Sequence, residues 1–254
     1  MTNISAAQVK ALRDRTNVAM MACKKALMEA DGDEEKAVEI LRKRGEAKAG
    51  EKSTRETAEG LVAISGRAIV KVLCETDFVA KNEKFVAFVN EIVEKADKDG
   101  AEVAKEFFES VKTDKIQAIG ENIALEDVIV ITEGSVVGGY IHSNGKLGTI
   151  VALDGGDDEK ARDVAMHATA MDPICANPEE VPAELIEKEK EIALVQLKNE
   201  GKPEQIIDKI IEGKVKKFCA ERALTSQAFV KDPSQSVAEY LGEAKLVKFV
   251  RVTV

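Results

Sequence analysis

Two stretches of this sequence carry the same succession of patterns, and that repeat limits the available folds more than any other feature. In the first, a short apolar run over 60–64 leads through Ser65-Gly66 into a β-branched run over 67–75, and a helix pattern follows over 82–96. Two such runs around a Gly turn read as a β-hairpin. In the second, the order returns as 136–141, a turn around Asn144-Gly145, 147–153, and a helix pattern over 158–171. The likeness is one of pattern rather than of letters. It predicts two strand-strand-helix units, and therefore two α/β subdomains side by side in an α+β protein. Between them, 101–110 and 113–119 read as short helices and 125–132 as a strand that completes the first subdomain.

Outside the repeat the chain is helical. Ser5 can cap a helix to about Arg15, and 19–30 and 33–43 follow as two more, broken at Asp31-Gly32. Val9, Leu12, Met20, Met21, Ala26, Leu27, Val38, Ile40 and Leu41 could close a small core of the ubiquitin-associated type, marginal on its own. Residues 45–59 are polar and nearly free of large apolar side chains, so they read as a linker, in part helical. The resulting domains are 1–44, the linker 45–59, a core N-subdomain 60–133 and a core C-subdomain 134–254. The last of these contains a helical hairpin over 182–224, in which Gly201-Lys202-Pro203 breaks two helix patterns. That hairpin is expected to protrude as an antiparallel coiled coil, with the apolar positions of 192–197 and 206–215 mostly satisfied between its two helices.

Composition narrows the chemistry. The chain has 254 residues and a formal net charge of −9, which argues against the basic face that neutralises nucleic-acid phosphates. No apolar run is long enough to span a membrane and the start lacks the pattern of a signal peptide, so the cytoplasm is the default compartment. Cys23, Cys74, Cys175 and Cys219 are far apart and form no C-x-x-C, which leaves buried or half-buried free thiols as the expectation. Asp31, Asp33 and Glu35 resemble the start of a calcium loop, but Lys36 and Arg42 stand where such a loop needs Gly and Glu. Gly145-Lys146 is no phosphate loop either, since Tyr140 replaces its first Gly and Leu147 its Ser or Thr. With His142 and His167 as the only histidines, general acid-base equipment is scarce, and no cofactor is indicated. His142 on the second hairpin reads as a solvent-facing side chain or as a specific contact. His167, among Val164, Ala165 and Met171, reads as a packed core or boundary residue.

Thr76-Asp77-Phe78-Val79 is the stretch that fits this background least, because an acid and a large aromatic sit between the end of a strand and the start of a helix. Asn82 is the natural cap of that helix. Its core face is already complete in Phe85, Val86, Phe88, Val89, Ile92, Val93 and Ala96. A Phe is usually a core residue. Phe78 is therefore either an extra core side chain or one the protein holds outward for a partner.

The eight residues Cys74-Glu75-Thr76-Asp77-Phe78-Val79-Ala80-Lys81 closely resemble the signature of the bacterial elongation factor Ts family. Leu12-Arg13-Asp14-Arg15-Thr16, with Met20-Met21-Ala22-Cys23-Lys24-Lys25-Ala26-Leu27, resembles its amino-terminal signature. Residues 141–148, Gly213-Lys214-Val215-Lys216-Lys217-Phe218 and Phe229-Val230-Lys231-Asp232 resemble further family segments, so the likeness runs along essentially the whole chain. Asn17 and Ala22 depart from the family's usual Gly and Asp, as do Lys71 and Leu73 from its Glu and Asn. Some members continue past the last strand into a helical module that touches the partner, a contact expected to be missing here.

The resemblance implies a guanine-nucleotide exchange factor that binds elongation factor Tu, GDP-bound or nucleotide-free, and promotes loss of Mg²⁺ and then GDP without covalent chemistry. It implies that Thr76, Asp77, Phe78 and Val79 dislocate the partner's magnesium, and that Met20, Met21, Lys24 and His142 bind the partner. It leaves open a homodimer or a 2:2 complex, and involves no nucleic acid and no membrane. Two other classes compete with it. One is an adaptor whose three-helix domain binds a ubiquitin-like or helical ligand. The other is a thiol hydrolase using Cys74 or Cys175, for which nothing in the sequence sets up a nucleophile and base.

Overall fold

The computed structural model describes residues 4–16, 18, 20–52 and 54–254, with the backbone alone over 46–51. Asn17, Ala19 and Ser53, on which the resemblance, the second helix and the linker reading partly bear, lie outside the described residues. Two compact units divide the chain, Met1–Val130 with Val254, and Ile131–Thr253.

The first unit begins with α1 (Ala6–Thr16), α2 (Met20–Glu29) and α3 (Glu34–Lys52). Ser5 caps α1, its Oγ accepting from the Gln8 amide. Val9, Leu12, Cys23, Ala26, Leu27, Ala37 and Leu41 close the small core between these helices. The expected end of the third helix at residue 43 is a correction, because α3 runs on through the first half of the supposed linker. Its Ala-, Glu- and Lys-rich continuation has high helix propensity. It also meets a later helix there: a Cβ at Gly45 would lie 2.3 Å from Gln117 Oε1, so a larger residue would require that side chain to shift.

The hairpin is β1 (Glu59–Ser65) and β2 (Ala68–Cys74), followed by α4 (Asp77–Ala80), α5 (Glu83–Asp99), α6 (Ala101–Ile119) and β3 (Ile123–Val130). The sheet is antiparallel in the order β1-β2-β3, with Glu59 opposite Cys74 and Cys74 opposite Ile123. α5 covers it with Phe85, Phe88, Val89, Ile92, Val93 and Ala96, all buried. Against the expected pair of short helices, α6 is one helix. Ala104, Phe108 and Ile116 form a single buried stripe along it, and neither Gly nor Pro interrupts the pattern at Val111-Lys112. Phe108 lies against Phe88 with ring centroids 5.9 Å apart, tying the two helices together.

The second unit repeats the plan with β4 (Val136–Ile141), β5 (Leu147–Asp154) and α7 (Asp158–Met171). It adds the helix pair α8 (Ala183–Asn199) and α9 (Glu204–Arg222), the small hairpin β6 (Ala228–Phe229) and β7 (Asp232–Ser236), then α10 (Val237–Leu241) and β8 (Lys245–Thr253). β4, β5 and β8 form an antiparallel sheet in that order. α7 lies almost on the backbone of β4, where a Cβ at Gly138 would come 2.6 Å from the Arg162 nitrogen. Val151, Leu153, Val164, Ala165, Ala168 and Phe229 share the core beneath it.

α8 and α9 pack on each other through Ala193, Leu197 and Ile207, and Cys175, Val181, Cys219 and Ala223 form a separate cluster at their base. The hairpin satisfies less apolar surface than expected. Ile192, Val195 and Ile206 remain exposed, because two helices can bury only one stripe each.

Candidate partner-binding site

The signature occupies the point where β2 leaves its sheet. Cys74 is the last ladder residue, fully buried, and its thiol donates to the Thr76 carbonyl at 3.2 Å. Thr76 then takes an extended conformation (φ −128, ψ 155) and caps α4, its Oγ1 accepting from the Val79 amide at 3.4 Å. The stretch read from the sequence as lying between strand and helix thus contains a single helical turn. Ala80 is buried and Val79 packs against the core, which fixes the inward side of that turn. Phe78 consequently points outward and is 83% exposed. On the same turn, the Asp77 carboxylate accepts from Lys81 Nζ at 2.8 Å, a bond that raises the Lys81 pKa. Asn82 ends the turn and caps α5 by accepting from the Lys84 amide.

A residue not singled out in the sequence holds this turn from behind. Glu121, just after α6, accepts three hydrogen bonds: from the Glu75 amide at 3.1 Å, the Thr76 amide at 3.0 Å and the Thr76 hydroxyl at 2.6 Å. Glu75 returns the arrangement, its Oε1 accepting from the Asn122 amide at 2.6 Å while Arg55 lies 3.5 Å from its Oε2. The signal available in the sequence was the acid beside Gly120, at the predicted end of a helix.

In α2, Cys23, Ala26 and Leu27 face the core, and the expectation that Met20 and Met21 help close it is corrected: both are exposed, as are Lys24 and Met28, because one helix can turn only one face inward. Met residues are adaptable contact surface for a protein partner. Met21 also borders a cleft of about 930 Å³ with Leu41, Arg44 and Ile116. His142 belongs to the other unit. It is exposed at the β4–β5 turn, its amide donating to the Leu147 carbonyl at 2.8 Å, and it lines a hollow of about 470 Å³ with Tyr140, Met166 and Val230.

His167 is fully buried and bonds the backbone of Val230, one of the residues that line the hollow. Its Nδ1 accepts from the Val230 amide at 3.1 Å, so Nε2 carries the proton and donates to Gln227 Oε1 at 2.9 Å. Burial lowers its pKa below the ordinary 6.5, with the Gln227 bond opposing. Below pH 6.5 the unfolded chain takes up a proton that the native ring refuses, so stability falls as pH falls, by up to about 1.4 kcal/mol per pH unit. Urea melts between pH 7 and 5.5 should show this slope. His167→Gln should be less stable at pH 7 and show a shallower slope; an unchanged slope would sink the assignment.

All four thiols are buried, and burial pushes the Cys175 thiol up, away from the thiolate a nucleophile needs.

Residues 75–254 match the family model described as Elongation factor TS. The elongation factor Ts of Nautilia profundicola is 49% identical over all of this chain and 94% of its own length. Those of Marinobacter nauticus and Lactiplantibacillus plantarum are 45% and 44% identical, again over the whole chain, with 92% and 93% of their lengths covered. The chain belongs to the elongation factor Ts family. It is accordingly a translation elongation factor, acting in protein biosynthesis. The family model begins at Glu75, inside the signature, while the full-length relatives of the elongation factor Ts family also cover the three helices that precede it.

Proposed function

We propose that this protein is a guanine-nucleotide exchange factor that binds GDP-bound elongation factor Tu, drives out Mg²⁺ and then GDP, and holds the nucleotide-free partner. The observation that carries the reading is Phe78, an aromatic side chain 83% exposed on a braced helical turn. Exposed aromatics presented rigidly are typical anchors of protein interfaces. Magnesium ties nucleotide phosphates to their protein and demands near-ideal octahedral geometry, so a wedge that shifts its surroundings weakens the nucleotide strongly. Phe78 is that wedge in this reading; Asp77 orients it, and Thr76 and Val79 set and pack the turn. Met20, Met21 and Lys24 on α2 and His142 on the second unit grip the partner, which gives the wedge leverage. A factor that weakens GDP binding is weakened by GDP in turn, so incoming GTP can release it. No covalent step is involved.

In the same reading, residues 1–44 form a ubiquitin-associated-like domain, and 60–133 and 134–254 form the two core subdomains. The hairpin over 182–224 protrudes from the second. The protein works in the cytoplasm; among the described residues no helix is long and apolar enough to cross a membrane. Its net charge of −9 fits a protein partner better than RNA. A homodimer or a 2:2 complex is distinguished by light scattering of the protein with and without its partner.

The test is release of labelled GDP from purified elongation factor Tu. Acceleration that saturates with added protein is expected, and its absence would overturn the reading. An adaptor using the exposed methionines of α2 predicts binding with GDP release unchanged.

The hairpin is expected to be dispensable for the exchange step. Replacing 190–212 by a short Gly-Ser linker leaves the buried base cluster of Cys175, Val181, Cys219 and Ala223 in place. Maximal GDP release should stay near normal, with at most a weaker dependence on concentration. A folded variant unable to release GDP at any concentration would refute this.

A further inference from the structure

The corner between α6 and β3 contains a hydrogen-bonding arrangement centred on the Glu121 carboxylate. The β2–β3 ladder ends at Cys74 opposite Ile123, so the next two amides on the signature side have no strand partner. A buried or half-buried amide needs an acceptor. Glu121 Oε2 takes both, while its Oε1 takes the Thr76 hydroxyl at 2.6 Å. That hydroxyl is also the cap of α4. Once its proton is directed at Glu121, its lone pair is aimed at the Val79 amide 3.4 Å away.

α4 spans only four residues, far too few for a helix to be stable by itself. Phe78, being exposed, has little side-chain packing of its own to fix its direction. Its aim is therefore set by the backbone beneath it, which the buried Ala80 and packed Val79 hold from within and Glu121 holds at its start. The corner is itself anchored. Glu75, whose side chain is 19% exposed, receives the Asn122 amide, and Asn122 Nδ2 donates to the Arg55 carbonyl at 2.9 Å. Lys52 at the end of α3 donates its ammonium to the Gly120 carbonyl.

We infer that Glu121 is a positioning residue for nucleotide release: its carboxylate fixes the turn that aims Phe78, and the Gly120-Glu121-Asn122 corner braces that turn against the end of α3. The inference rests on the exchange reading, and it is tested in two ways that separate the two. The chain has no Trp, so Phe78→Trp gives a single reporter at the wedge position. Adding Glu121→Ala should increase the amplitude of fast depolarisation of that Trp in time-resolved anisotropy. Unchanged depolarisation would overturn the inference, whether or not the protein releases GDP.

In GDP release at saturating factor, Glu121→Ala should lower the rate by about tenfold or more, as misplacing a working group does. Glu121→Gln should recover part of it, since its amide oxygen can still accept both backbone bonds. In the Phe78→Ala background, Glu121→Ala should cost less than about twofold further, because residues that act as one unit are not additive. The same fractional loss with and without Phe78 would mean that Glu121 serves the fold in general, and would overturn the inference. If Glu121→Ala does not fold, Thr76→Val, which keeps both backbone bonds but loses the hydroxyl, carries the same comparisons. A wild-type protein that fails to release GDP defeats the exchange reading, while the anisotropy still decides whether Glu121 orients residue 78.

Discussion

Phe78→Ala should reduce saturated GDP release by about thirtyfold or more while leaving the melting temperature nearly unchanged. The side chain is 83% exposed, and the buried side of α4 is supplied by Ala80 and Val79. Surface substitutions of this kind change stability by only about 0.5 kcal/mol. Truncating an aromatic anchor at an interface costs about 2 kcal/mol or more, which is the origin of the rate figure. Asp77→Ala should fall between the wild type and Phe78→Ala, because the loss of an orienting contact leaves the wedge in place. The measurements are stopped-flow release of labelled GDP and calorimetric melting of the free protein. A melting point lowered by several degrees with release intact would mean that Phe78 serves the core.

Phe88→Ala should do the reverse and produce the largest loss of stability among these variants. Phe88 is 1% exposed on α5, its ring stacks on Phe108, and Lys115 Nζ lies 4.3 Å from its centroid. Removing the ring takes away buried apolar surface and leaves a cavity between α5, α6 and the sheet, at a cost of about 3–5 kcal/mol. Against a typical stability of about 5–15 kcal/mol, that is a large fraction. The expected result is a fall in the melting transition of the first unit by about 10 °C or more. Phe88→Leu should recover over half of it, since most of the volume is restored. A Phe88→Ala protein that melts with the wild type would show that α5 and α6 do not share this core.

These two phenylalanines are ten positions apart, and the sequence distinguishes them in part. Phe88 sits on a helical stripe with Phe85, Val89, Ile92 and Val93, so its burial follows from periodicity. Phe78 lies off that stripe, between two elements whose faces were already filled. The sequence marks it as surplus without saying where it points. Its direction came from the buried Ala80 and from Glu121, 45 residues after Thr76 in the chain, a distance at which no local pattern carries information. The same limit applies on α2, where the apolar pattern placed Met20 and Met21 in the small core and only the family resemblance set them with Lys24 on a partner-binding face. Met28 was not legible as exposed, because a Met at helical spacing reads equally well as core.

Both strand-strand-helix units, the caps at Ser5 and Asn82 and the inward face of α5 were determined by the sequence alone, because each depends on residues within one or two turns of one another. Tertiary packing decided the rest. α6 is continuous because Phe108 and Ile116 meet one surface, and α3 continues to Lys52, whose ammonium donates to the Gly120 carbonyl. The hairpin keeps Ile192, Val195 and Ile206 exposed because only one side of each helix finds a neighbour. The turn bearing Phe78 is fixed by a carboxylate from a distant corner, since a helix of four residues lacks the cooperativity to hold its own shape.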